Sequence, residues 1–215
     1  MSENSYALRH QFDDPGQQRE ASHLGMWTFL VTEILFFGGM FTAYTVYRSE
    51  YPAAFAGASH HLSLIIGTIN TAVLIASSLT MALAVHASQT GRRKTLLVFL
   101  VATMCLGSVF LGLKGVEYAH KFEEHLVPGP NFVYRGPDAV HAQLFFSLYF
   151  AMTGMHAVHM IIGLGLMTYL LICAARGRFT PEYHTPVVVG GLYWHFVDIV
   201  WIFLYPLLYL VGAHA

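Results

Sequence analysis

The sequence predicts an all-α integral membrane protein: a bundle of five transmembrane helices, with the N-terminus cytoplasmic and the C-terminus outside. Three observations predict it. Of the 215 residues, 55% are hydrophobic and only 11% are charged, where an ordinary soluble domain carries about 25% charged residues. The mean hydropathy is +0.53. Five apolar runs also reach the roughly 20 residues needed to cross about 30 Å of hydrocarbon. Lys+Arg 11 against Asp+Glu 12 leaves a net charge of −1, which excludes a basic nucleic-acid binder. The apolar excess excludes disorder and most soluble enzymes.

Residues 1–23 form a polar tail with no short apolar region before a cleavage site, so no signal peptide is expected. The first span, 24–47, then serves as its own insertion signal. It carries Glu33 on a face shared with Met26, Leu30, Phe37, Met40 and Tyr44. The second span covers 62–85 and the third 95–113. A loop over 114–142 follows, broken by Pro128, Gly129, Pro130, Gly136 and Pro137. The fourth span, 143–174, is about 48 Å long at 1.5 Å per residue, so it must tilt or project from the bilayer. The fifth, 187–212, contains Pro206, which removes an amide donor, frees the carbonyl of Ile202 and predicts a kink. Residues 213–215 complete the chain. Cys105 and Cys173 read as isolated buried thiols, neither a disulfide framework nor a metal site.

Orientation follows from the basic residues. The N-terminal tail and the second and fourth loops carry Arg9, Arg19, Arg92, Arg93, Lys94, Arg176 and Arg178; the opposite side carries four. Positive charge kept in short loops marks the cytoplasmic side.

Ionisable groups at membrane depth are the candidate functional residues, because an unpaired acid there costs several kcal/mol and is expected to be protonated or paired. Glu33 lies in the first span, His156 and His159 share one face of the fourth, and His195 and Asp198 stand one turn apart in the fifth. Three helices thus bring polar groups to similar depth, which predicts a polar contact inside the bundle. His195 and Asp198 read as an interhelical hydrogen-bonding pair that fixes packing; His156 and His159 read as structural or lipid-contact groups. For Glu33 a hydrogen-bonded acid and a proton relay are both open. Two ExxH pairs, Glu20–His23 and Glu117–His120, could suggest a di-iron carboxylate site. The topology sets them on opposite sides of the membrane, where no metal cluster can join them.

Five segments, in order, resemble subunit III of the haem–copper oxidases, of the cytochrome c or quinol type, in the five-helix bacterial form. LGMWTFLVTEILFFGGMFTAYTVYR matches its buried-glutamate stretch through Glu33, and TINTAVLIASSLTMALA its Asn-Thr…Ser-Ser helix. GSVFLGLKGVEY matches a third segment through Glu117, which joins the buried polar, proton or lipid-contact candidates, with Lys114 where many members carry Gln. TGMHAVHMIIG matches through His156 and His159, and YWHFVDIVWIFLYPLLYLVG through His195, Asp198 and Trp201.

The resemblance implies a subunit of a proton-pumping complex that reduces O2 to water in a prokaryotic inner membrane. It implies subunit I as the main contact and subunit II as a second, with haem and copper held by those partners and none in this chain. The enzyme is then the assembly, and this chain is accessory and non-catalytic. The mitochondrial form has seven spans, and this chain lacks the first two and the part of the lipid-filled cleft they build. Bound phospholipid at Glu33, His156 and His159 remains open. The accessory membrane protein of nitric-oxide reductase shares these motifs and is one rival; an independent proton-linked transporter is the other.

Overall fold

The computed structural model describes residues 10–136 and 138–210. Residues 1–9, Pro137, the end of the expected fifth span at 211–212 and the tail 213–215 lie outside the described residues. The regular structure of the described residues is all helical, with no strand, and five of the helices are long and apolar enough to cross a membrane.

The order is α1 (Pro15–Glu50), α2 (Pro52–Ser59), α3 (Leu64–Gln89), α4 (Arg93–Glu123), α5 (Ala139–Ala175) and α6 (Thr185–Tyr205). Pro206–Leu210 prolongs α6 as a π-helical turn. The helices outrun the apolar segments because polar end signals, not hydropathy, set their limits. Asp14 caps α1 through a hydrogen bond from the Gln17 amide at 2.9 Å, with Pro15 at the first helical position. Asp138 caps α5, accepting from the His141 amide at 3.3 Å.

Two regions depart from the sequence reading. Residues 114–123 belong to α4 and 139–142 to α5, so the expected loop shrinks to the segment between them. The apolar octapeptide 52–59, with Pro52 at its start, forms α2 and lays Phe55 edge-on against Phe145 at 5.5 Å. The regular α-helix ends at Tyr205, and a π turn follows at Pro206. Cys173 is buried, but Cys105 is exposed on the helix surface.

Glycines close two of the turns. Gly91 (φ 69°) follows α3 and Gly177 (φ 71°) follows α5. In each, the next residue's amide returns to the helix: Arg92 N to Ala87 O at 2.9 Å, and Arg178 N to Cys173 O at 3.1 Å. Arg93 locks the same end of the bundle by donating Nε to Ala174 O at 3.0 Å and Nη2 to Ala175 O. The basic clusters at 92–94 and 176–178 therefore share one end.

α3 lies along α4, α4 along α5, and α6 packs against α1, α3 and α5. α6 is the most buried span and α1 the least. α1 touches the bundle through Leu30, Phe37 and Tyr44, a seven-residue spacing that gives one narrow contact stripe. Its other faces expose Leu24, Ile34 and Leu35, apolar side chains that suit lipid.

Candidate functional site

Four polar junctions between helices bear on the candidate residues. The first links α1 to α5. Glu33 Oε2 lies 3.0 Å from His159 Nε2. His159 Nδ1 lies 2.9 Å from Met155 O, and a carbonyl only accepts, so Nδ1 carries a proton. Two states then fit: a carboxylic acid donating to a neutral imidazole, or a carboxylate accepting from an imidazolium. Either way one proton lies between the two residues. Phe37 packs edge-on to the imidazole at 5.3 Å, and Tyr193 donates to His159 O at 3.0 Å, which ties α6 to the same point.

The second links α5 to α6. His156 Nε2 donates to Val197 O at 3.1 Å, which leaves Nδ1 bare, and no described group hydrogen-bonds it. Phe110 and Trp201 enclose the ring at 5.4 and 5.2 Å. His156 and His159 share a helix face, yet each serves a different neighbour.

The third is the antiparallel seam of α3 and α6. Thr68 pairs with Tyr205 at 2.6 Å, Trp201 Nε1 donates to Thr71 Oγ1 at 3.1 Å, Trp194 Nε1 donates to Ser77 Oγ at 2.9 Å, and Ser78 Oγ meets His195 Nδ1 at 2.7 Å. The Asn-Thr…Ser-Ser pattern of α3 thus supplies the hydroxyls on which α6 is registered. His195 bonds Ser78 and not Asp198. The Asp198 carboxyl, 3% exposed, has no hydrogen-bond partner among the described residues.

The fourth contains residues that the sequence reading assigned to a loop. Lys114 Nζ donates to Glu117 Oε2 at 2.9 Å, Tyr209 Oη at 2.9 Å and Tyr149 Oη at 3.1 Å. Both tyrosines donate in turn to Glu117 Oε1, at 2.7 and 3.1 Å. All three ammonium protons and both carboxylate oxygens are engaged, as a buried ion pair requires. The rings of Tyr118, Tyr149, Trp201 and Tyr209 stand 5.0–5.6 Å from Nζ. The π turn after Tyr205 delivers Tyr209 to this cluster and leaves Leu207 O to accept from Tyr44 at 2.8 Å.

Glu20 stands at the start of α1 and Glu117 near the end of α4, where it is committed to Lys114. Among the described residues no group of three His, Cys, Asp or Glu is placed to hold a metal ion. Tyr149, Tyr209 and Trp194 escaped the sequence reading because an aromatic residue in an apolar run gives no sign of its hydroxyl or indole partner. Lys114 and Glu117, three apart, were the one available signal.

Fold and contacts define a multi-pass, all-helical membrane protein whose intramembrane acids and histidines are spent largely on joining one span to another. The chain belongs to the cytochrome c oxidase subunit III family, whose profile matches residues 17–213. It is 33% identical over 188 residues to a Nocardia farcinica protein named "Probable cytochrome c oxidase subunit 3", covering 87% of each chain. It is 30% identical over 190 residues to quinol oxidase subunit 3 of Bacillus subtilis, covering 88% of this chain and 86% of that one. Cytochrome c oxidase subunit 3 of Salmo salar is 35% identical over 199 residues, which cover 88% of this chain and 69% of the relative.

Proposed function

We propose that the chain is subunit III of a bacterial haem–copper terminal oxidase of the cytochrome c type, held in the inner membrane with its N-terminus cytoplasmic. In this reading it is a non-redox subunit that supports proton uptake and the stability of subunit I, and subunits I and II hold the haem and copper. The observation that carries the accessory role is the use of Glu33, His156, His159 and His195 in contacts between helices of this chain. Side chains so occupied stiffen a bundle and do not converge on a reacting centre. The common end of the two basic clusters, joined through Arg93 to α5, fits a single cytoplasmic face. The single proton shared by Glu33 and His159 is held at the α1–α5 seam, where the open edge of the bundle meets lipid.

The similar match to a quinol oxidase subunit favours a second reading, in which the electron donor is a quinol. The test is isolation of the complex through this chain, with mass spectrometry, a visible spectrum and metal analysis. Haem with copper and oxidation of reduced cytochrome c are expected. Oxidation of quinol alone would select the second reading, and a partner with iron and no copper would overturn both in favour of a nitric-oxide reductase. A cysteine replacing Lys94 should react with impermeant maleimide only from the cytoplasmic side, and one replacing Ala215 only from outside.

A further inference from the structure

Three buried side chains have polar atoms without a hydrogen bond among the described residues: Asn70, His156 at Nδ1, and Asp198. Asn70 and His156 are sealed, at 0% and 1% exposure. Asp198 differs, because it lines an open groove between α3 and α6 with a volume of about 260 Å³. The groove's other walls include Ile75, Ser78, His195, Ile199 and Ile202.

The chemistry of the groove is one-sided. Asp198 is the fourteenth of the 26 residues in the span Thr185–Leu210, roughly 18–20 Å from either end at 1.5 Å per residue. Lipid headgroups lie at the ends, and hydrocarbon supplies no hydrogen-bond donor. The Ser78 hydroxyl beside the carboxyl meets His195 Nδ1 at 2.7 Å, and its one proton can serve at most one of the two carboxyl oxygens, which leaves the other without a partner. A carboxyl at this depth requires a further polar partner. The apolar rim also continues past the groove: Leu79, one turn beyond Ile75 on α3, is 61% exposed, and Phe203, one turn beyond Ile199 on α6, is 60% exposed. From His195 to Phe203 the strip runs about 12 Å. An acyl chain could cover that length but brings no donor, and a single ring with a hydroxyl brings a donor but leaves much of the strip bare.

We propose that this groove seats a transmembrane helix of a partner subunit, and that the helix presents a hydroxyl, carboxamide or indole donor to Asp198. The assignment rests on the reading of the chain as a subunit of a larger membrane complex, and names the face on which that complex is joined. Glu33 and His159 lie on a different seam, where α1 meets α5, so the two contacts can be tested apart.

The experiment places the photocrosslinker benzoylphenylalanine at Ile199, and as a control at lipid-facing Leu35, in the intact complex within native membranes. Expected is a crosslink from 199 to a spanning segment of a partner subunit that carries a donor side chain, and lipid adducts alone from 35. Asp198→Leu should hasten loss of the chain from the complex in detergent about tenfold, the effect of one stranded buried hydrogen bond, while Asp198→Asn keeps most of the retention. Adducts from 199 only to lipid or to a small hydrophobic molecule, or an unchanged retention of Asp198→Leu, would overturn the proposal. The haem and copper content of the same preparation judges the oxidase reading separately, so the failure of one is not mistaken for the failure of the other.

Discussion

Trp194 gives the sharpest test of how the bundle is packed. Its indole is fully buried at 0% exposure and lies between the backbones of two glycines on different helices. A Cβ added at Gly107 of α4 would stand 2.7 Å from Cη2 and 3.0 Å from Cζ2 of the indole, with Leu164 at 3.3 Å. One added at Gly163 of α5 would meet Cζ3 at 3.0 Å, Cε3 at 3.1 Å and Tyr193 at 3.2 Å. Carbon atoms in contact ordinarily sit about 3.5–4.0 Å apart. Gly107→Ala therefore forces an opening of roughly 0.8 Å or more, and Gly163→Ala about half an ångström. The indole cannot swing aside without giving up its 2.9 Å bond to Ser77.

Overpacking a filled core costs about 1–3 kcal/mol, which puts Gly107→Ala near 3 and Gly163→Ala near 1–2. Gly112, also on α4, has nothing within 4 Å of its added Cβ. Gly112→Ala should instead stabilise the helix by about 0.5–1 kcal/mol through lost backbone freedom. Unfolding of the purified chain in graded denaturing detergent, followed by circular dichroism, measures all three. Trp194→Phe should relieve much of the Gly107→Ala penalty in the double variant. If Gly107→Ala matched Gly112→Ala in sign, the indole would not be wedged as described, and the reasoning would fail.

Further outcomes are expected elsewhere. Glu33→Gln keeps a donor for the Nε2 of neutral His159, so proton pumping and subunit retention should survive, while Glu33→Ala strands the imidazole, costs about 1–3 kcal/mol and loosens the chain in its complex; abolished pumping in the Gln form with the chain still bound would show an obligatory relay. Glu117→Leu leaves the Lys114 ammonium buried without its counter-charge and should destabilise by about 3–5 kcal/mol, and adding Lys114→Leu should recover much of it; no recovery in the unfolding assay would refute a mutually dependent pair. The hydrogen bonds from His141, at 2.7–2.9 Å, hold the Asp138 carboxyl below its ordinary value of 3.8. A lowered carboxylate value contributes stability that is present above the ordinary value and lost as pH falls through the folded one, so exchange protection of the His141 amide should persist to pH 4 and fade below it. Protection already lost above pH 5, or unchanged in Asp138→Ala, would count against that cap.

The five spans were legible because hydrocarbon imposes a length and a polarity that any sequence must meet. Helix ends were less so: Asp14-Pro15 and Asp138 are recognisable caps, but a hydropathy window passes over them. The largest misreading, 114–123 as loop, has a definite cause. Lys114 and Glu117 lie where the apolar run gives way to polar residues, and it is Tyr149 and Tyr209, 32 and 92 positions after Glu117, that supply the hydroxyls with which both are buried inside a continued helix. The placement of Glu33, His156, His159, His195 and Asp198 within apolar helices could be read from the chain; their partners could not, since Met155 O, Val197 O and Ser78 are ordinary groups made special only by the helix that arrives beside them. His195 and Asp198 share a face as the spacing requires, yet His195 bonds Ser78 and not Asp198.

The enclosure of α6 bears on how the protein is made. A ribosome delivers α6 after α3, α4 and α5, so the helices that grip it enter the bilayer before it exists. Until then the hydroxyls that later hold Trp201 and Trp194 must find partners without α6, as Thr71 does within its own helix by bonding Gly67 O at 2.8 Å and Ser77 does by reaching Thr103 O of the neighbouring α4 at 3.5 Å. The nascent protein is therefore an open arch whose closing stone is cut last and set deepest. A chain interrupted before Thr185 would have most of its spans inserted and no keystone, and the polar faces left uncovered are the marks by which membrane proteases could recognise it.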